Sequence, residues 1–173
     1  MTLMPKAFLL IAALGLAACN NPDRFGAGGP GDTAGTGGFV DTTGLGDPNN
    51  PTSIAYFNQT VGDRVLFAVD QSTLSPEART ILQGQAQWLA TNSNYAIIIE
   101  GHADEQGTRE YNLALGARRA AAVQQFLGSQ GVPSSRMKTI SYGKERPIEV
   151  CSEEACYSRN RRAVTVLSMG SGA

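Results

Sequence analysis

Three groups of side chains in this sequence could carry chemistry. The first is the run Gly101-His102-Ala103-Asp104-Glu105-Gln106-Gly107-Thr108, which sets an imidazole close to two carboxylates. The second is the pair Arg118-Arg119, and the third is the block Asn160-Arg161-Arg162. An imidazole beside carboxylates suggests a metal site or acid–base catalysis, and two carboxylates suggest glycan hydrolysis. Neither set is complete. His102 is the single histidine of the chain, and His-x-Asp on a short turn supplies too few ligands for a metal. Asp104 and Glu105 are adjacent, and no second acidic centre declares itself across from them. No serine or cysteine adjoins a base that would activate it. His102 is therefore expected to shape its loop by hydrogen bonding, and the chain reads as a non-enzyme with no metal and no cofactor. Asp104 and Arg119 remain as an acid and a base; from residue types alone, a structural ion pair or a helix cap explains them at least as well as a ligand site. Adjacent helical residues point about 100° apart, so only one of Arg118 and Arg119 should face a pocket.

These residues need a scaffold, and the sequence predicts one. Val65 to Val69 is a short apolar run that reads as a buried strand. Ser75-Pro76-Glu77 starts a helix, with Ser as N-cap and Pro at the first helical position. Ala78, Ile81, Leu82, Ala86 and Leu89 give that helix one apolar face, and residues 92–94 end it. Tyr95 to Glu100 is a β-branched run and a central strand. After the polar loop a second helix runs from about Arg109 to Leu127, its inner face expected at Leu113, Ala117, Ala120, Val123 and Leu127. Gly131-Val132-Pro133 stops the chain, Met137 to Ser141 reads as a third strand, a long loop opens at Tyr142, and Ala163 to Ser168 reads as the last strand. The order β-α-β-α-β-β predicts a small α/β (α+β) sandwich, a mixed sheet with helices packed on it.

The ends of the chain have a different character. Residues 1–18 read as a signal peptide: Lys6, then the apolar run AFLLIAALGL, too short to span a bilayer. The run ends in Leu16-Ala17-Ala18-Cys19, which resembles a bacterial lipobox and implies lipidation of Cys19. Asn20 follows where an Asp tends to retain enteric lipoproteins in the inner membrane, so the outer membrane is the expected destination. Residues 19–55 are read as the lipidated cysteine and a disordered Gly-rich linker, and 56–170 as the folded domain. About 35 flexible residues would have an r.m.s. span of roughly 30–35 Å and a reach of roughly 115–125 Å. The periplasm is oxidising, which favours a disulfide between Cys151 and Cys156 over two free thiols. The formal net charge of −1, from 14 basic and 15 acidic side chains, argues against nucleic-acid binding.

Three blocks in order, IEGHADEQGTREYNLALGARRAAAVQQFL at 99–127, SYGKERP at 141–147 and YSRNRRAV at 157–164, resemble the OmpA-like peptidoglycan-binding domain family over roughly residues 65–168. With the lipobox, the likeness is to the lipid-anchored members that work with the Tol proteins. The resemblance implies a non-covalent grip on the diaminopimelate side chain of the peptidoglycan stem peptide, which tethers the outer membrane to the wall, supports envelope integrity and aids outer-membrane constriction at division. It also implies Tol-system partners, notably the TolB propeller; docking to TolB with little wall binding is the alternative. The free end of diaminopimelate carries an ammonium and a carboxylate on one carbon. The family's acid falls on Asp104, its base on Arg119 and its apolar neighbour on Leu115, with Phe67 a candidate for lining the pocket and Arg161 for supporting it. Replacing Asp104 or Arg119 is expected to abolish wall binding while the fold survives. Two positions depart from the family: Ala68 stands where many members carry Asp, the next acid being Asp70, and Gln106 stands where many carry Arg. A stator-type anchor would need a transmembrane helix, and a porin would need a run of alternating strands; neither pattern is read in the sequence.

Overall fold

The Ser75 hydroxyl accepts the Ala78 N–H at 3.1 Å, and this cap, with Pro76 behind it, opens helix α2 at Pro76–Thr91. It is one of four α-helices among the described residues of the computed structural model, which describes residues 44–169. The others are α1 (Ile54–Tyr56, continued by a π-helical stretch at Phe57–Gly62), α3 (Arg109–Ser129) and α4 (Glu154–Asn160). The strands are β1 (Arg64–Leu66), β2 (Tyr95–His102), β3 (Met137–Gly143) and β4 (Arg162–Met169). They form one mixed sheet in the order β1-β4-β2-β3. β4 runs antiparallel to both β1 and β2, while β2 and β3 are parallel across the α3 crossover. The predicted sandwich is the fold found.

The core lies between the sheet and the pair α2 and α3. Ile97 and Ile99 of β2 meet Leu82, Leu89, Val123 and Leu127, all almost fully buried. Cross-strand partners share the inner face: Ile97 opposite Leu167, Ile99 opposite Thr165, Gly101 opposite Ala163. The buried Gln85 is satisfied on both sides, donating to Gly62 O at 2.7 Å and accepting from the Thr165 hydroxyl at 2.8 Å.

Four expectations need correction. The first strand ends at Leu66 rather than Val69, because the carbonyls of Ala68 and Gln71 are taken by the Arg119 guanidinium and the chain turns away from the sheet. Residues 44–55, assigned to the linker, pack onto the domain. Trp88 Nε1 donates to Pro51 O at 2.7 Å, the Tyr95 hydroxyl donates to Thr52 O at 2.9 Å, and Ser53 is fully buried. Residues 1–43, with the leader, Cys19 and the rest of the linker, lie outside the described residues. α4 stands in what was read as loop. The inner face of α3 is also rotated: Leu113 is 45 % exposed, and Ala117 is exposed, while Asn112, Leu115, Gly116 and Arg119 are buried.

That rotation follows from a close approach. α3 lies backbone to backbone on β2, where a Cβ built on Gly101 would sit 1.8 Å from Gly116 O. Only paired glycines permit this spacing. Gly101→Ala should force the helix off the sheet and cost at least about 3 kcal/mol, the upper end of ordinary overpacking. Urea unfolding of the variant checks this; a loss under 1 kcal/mol would show that the helix can shift freely.

Candidate functional site

The polar loop becomes a site because its backbone is held from both sides. Ala103 N–H donates to Gly143 O at 2.8 Å. Lys144 Nζ donates to Gly107 O at 2.7 Å, and Asn112 Nδ2 to Gln106 O at 2.7 Å. Gly107 takes φ +91°, which an L side chain adopts only with strain. The Thr108 hydroxyl then accepts the Tyr111 N–H at 3.2 Å and starts α3. Asp104 is thereby fixed, buried, just before a helix N-terminus.

Asp104 has one direct basic partner, Arg161, whose Nη1 lies 3.1 Å from Asp104 Oδ2. Arg161 also donates to Glu154, and its Nε to Phe67 O at 3.3 Å. The Glu154 contact above all, and Asp104 after it, raise the Arg161 pKa, while Arg161 draws the Glu154 carboxyl below its usual range. The Asp104–Arg161 pair is buried; Asp104 depends on Arg161 for solvation, whereas Arg161 has Glu154 and the Phe67 carbonyl as well.

Arg119 is not where an exposed ligand group would be. It is 0 % exposed. Its three nitrogens donate to Gln71 O at 2.8 Å, His102 O at 2.7 Å and Ala68 O at 3.2 Å. Its guanidinium lies over the Phe67 ring, 5.2 Å from the centroid. Burial pushes its pKa down to about 10, so it stays cationic at neutral pH. Its neighbour Arg118 points elsewhere, exposed and 6.0 Å from the Tyr111 ring.

A cavity of about 330 Å³ opens in front of these residues. Asp104 and Leu115 line it, whereas the buried Phe67, Arg119 and Arg161 do not. Asp70, Gln106, Tyr111 and Asn112 also line it. Of these, Tyr111 and Asn112 were missed by sequence reasoning, and Asp70 was noted without a role. Asp70 sits in left-handed backbone at φ 56° and accepts a hydrogen bond from the Tyr111 hydroxyl, which raises the Tyr111 pKa. A non-glycine residue in that conformation was the missing signal, and sequence does not display it.

The third block has a divided role. Asn160 Oδ1 accepts the N–H groups of Ile148 at 2.9 Å and Glu149 at 3.2 Å. Arg162 donates to Arg146 O at 3.1 Å. Cys151 and Cys156 are joined as a disulfide at the start of α4, so the segment that carries Glu154 is closed into a small ring.

The sequence profile of the OmpA family matches residues 66–161. The chain belongs to the OmpA family. Within this family it is 52 % identical over 170 residues to the peptidoglycan-associated lipoprotein of Agrobacterium fabrum, covering 94 % of this chain and 87 % of that one. It is 49 % identical to the protein of the same name from Mesorhizobium japonicum, over 97 % of this chain and 94 % of that one. It belongs to the peptidoglycan-associated lipoproteins. The crystal structure of the peptidoglycan-associated lipoprotein from Burkholderia pseudomallei superposes with a TM-score of 0.62 at 38 % identity, over 70 % of this chain and 100 % of that one. The C-terminal domain of Helicobacter pylori MotB shares the OmpA-like fold, with a TM-score of 0.58 at 20 % identity, over 63 % of this chain and 86 % of that one.

His102 of this OmpA-family loop contributes differently from its acidic neighbours. It is 2 % exposed and stacks on Tyr142, with ring centroids 5.5 Å apart. Neither ring nitrogen has a hydrogen-bond partner among the described residues. Burial, then the charges of Arg162 and Arg146, lower its pKa to about 4. The unfolded chain has the ordinary value near 6.5 and takes up the proton first as pH falls. Stability from this group is therefore full above pH 6.5 and is lost progressively from there towards pH 4, by roughly 3 kcal/mol in all. Urea unfolding at pH 7.5 and 4.5 should show that loss in the wild type and a smaller one in His102→Gln. Equal losses would remove His102 as the cause.

Proposed function

We propose that this protein is an outer-membrane lipoprotein of the Tol–Pal system that holds peptidoglycan non-covalently, through the diaminopimelate of its stem peptides. Family membership brings the ligand class. The observation that carries the assignment to a place is the small cavity lined by the carboxylates of Asp104 and Asp70, with the cations of Arg161 and Arg119 buried outside the lining. An ammonium suits the first pair and a carboxylate the second. Asp104 takes the ligand ammonium, with Leu115 beside its methylene chain. To hold the ligand carboxylate, Arg119 must release the carbonyl of Ala68 or Gln71, so ligand and chain compete for the same fork. Phe67 keeps that fork in plane from below. Arg161 holds the Asp104 carboxylate in place.

Charge-assisted hydrogen bonds contribute roughly 1.5–3 kcal/mol each, which after the cost of association leaves modest affinity per site. A wall repeats its ligand and one membrane holds many copies, so avidity supplies firm attachment. Lipidated Cys19 is the anchor in this reading. Tol-system partners, TolB among them, and service in envelope constriction at division belong to the same proposal. TolB docking with little wall binding is the second reading; the buried, internally satisfied Arg119 favours it, since the fork is not free for a ligand.

Sedimentation of the purified protein with isolated peptidoglycan decides between them. Pelleting that free diaminopimelate competes away supports the wall reading. A protein that stays in the supernatant overturns it.

A further inference from the structure

The free edge of the sheet carries a groove that wall binding does not use. β1 pairs with β4 on one side and is the outermost strand. The ladder fixes which of its backbone groups face outwards. Asp63 O accepts from Thr165 N–H at 2.7 Å, and Phe67 N–H donates to Arg161 O at 2.9 Å. Both continue the register Arg64–Val164, Val65–Ala163, Leu66–Arg162. Hydrogen-bonded and non-hydrogen-bonded pairs alternate in an antiparallel ladder. Residues 63, 65 and 67 therefore turn their backbone groups to β4, and the N–H and C=O of Arg64 and Leu66 point away from it.

That edge borders a cavity of about 540 Å³. α2 contributes Ala78 and Ile81 to the lining, and the segment pinned by Asn160 contributes Ile148. Leu66 is 51 % exposed there, and Ile148 is exposed too. Proteins usually protect such an edge with charge or cover. Here the neighbouring cations are already occupied: Arg64 pairs with Asp63 and Arg159 with Glu149, each at 2.7 Å. Glu77, at the α2 end, has no ion-pair partner among the described residues.

We propose that this groove receives an extended segment of a partner protein as an added strand. The side chains of such a strand alternate between the two walls. Between the paired charges, Ala78 and Ile81 on one side and Ile148 on the other make the walls apolar, so the segment is apolar on both faces, with a Lys or Arg at the end that meets Glu77. A second copy of this chain fits poorly. It would present the same walled concavity, and two such edges cannot reach the roughly 4.8 Å spacing of paired strands.

The test uses the purified, disulfide-intact protein and a fluorescent peptide, Lys-Val-Ile-Val-Lys, whose valines and isoleucine make both faces apolar, followed by anisotropy. Saturable binding is expected. Leu66→Pro removes an outward N–H without touching a bond to β4, and Ile148→Asp charges a wall. Each should weaken binding by about ten-fold or more, the worth of one good hydrogen bond; near-UV circular dichroism verifies that both variants are folded. Two further peptides are N-methylated, one at both valines and one at the isoleucine. An added strand turns only one of these sets towards the edge, so one peptide should lose binding and the other keep it. Equal binding by the two methylated peptides overturns the proposal, as does no saturable binding up to about 1 mM. A Leu66 amide already protected from hydrogen exchange without peptide also overturns it, because the edge is then covered by this chain or a second copy; sedimentation equilibrium tells which.

Discussion

Arg119→Met should lower the stability of the domain by about 3–4 kcal/mol, a fall in melting temperature of roughly 10–20 °C. Methionine keeps the apolar stem, so the loss isolates the guanidinium, with its hydrogen bonds and its place over the Phe67 ring. Three backbone carbonyls lose their donors. The one on His102 is buried and bears the full desolvation penalty; those on Ala68 and Gln71 belong to exposed residues and recover part of theirs from water. The strap from Ala68 to Gln71 then depends on the Tyr111–Asp70 hydrogen bond to stay over the cavity. This reverses the expectation from sequence that the fold survives loss of Arg119. Urea unfolding of wild type and variant is the measurement. A variant within about 1 kcal/mol of wild type that no longer pellets with peptidoglycan would restore Arg119 as a pure ligand group, because loss of a structural clamp cannot be silent in stability.

The fold was readable because its signals are local. Ser75-Pro76 announced α2, the β-branched run announced β2, and the alternation of helices and strands announced a mixed sheet under two helices. Of the expected site residues, Asp104 and Leu115 line one cavity and Arg161 touches Asp104. What sequence could not display was rank order within that cluster. Arg119 and Arg161 are the same residue type, and only packing decides which is sealed among carbonyls and which meets the carboxylate. The inner face of α3 was misread for a related reason. Apolar periodicity favoured Leu113, but the Gly101–Gly116 contact sets the helix rotation and turns Asn112 and Arg119 inwards instead. Residues 44–55 looked like linker by composition, yet three of them supply polar groups, the carbonyls of Pro51 and Thr52 and the Ser53 cap, that the domain uses. Composition measures apolar content and is blind to such backbone bonds.

Asp104→Asn should separate what Arg119→Met combines: wall binding lost, fold kept. Asparagine retains an oxygen for the Gln106 N–H, which reaches Asp104 Oδ1 at 3.3 Å. Arg161 keeps Glu154 and the Phe67 carbonyl, so it is not left alone in the interior, and the stability change should stay below about 1.5 kcal/mol. The ligand ammonium, however, loses a charged acceptor for a neutral one. That is worth roughly 1.5–3 kcal/mol, or about 10- to 150-fold per site, and multivalent attachment to the wall compounds the loss at every engaged copy. Sedimentation with isolated peptidoglycan, beside urea unfolding of the same preparation, reads both quantities. The contrast between the two variants carries the weight, since one acts through the scaffold and the other through the ligand. Undiminished pelleting by Asp104→Asn would move the ammonium contact to Asp70, the other carboxylate of the cavity. Asp70 stands on the strap that Arg119 holds, so binding would then depend on the strap being closed, and Arg119→Met would be the variant that loses the wall.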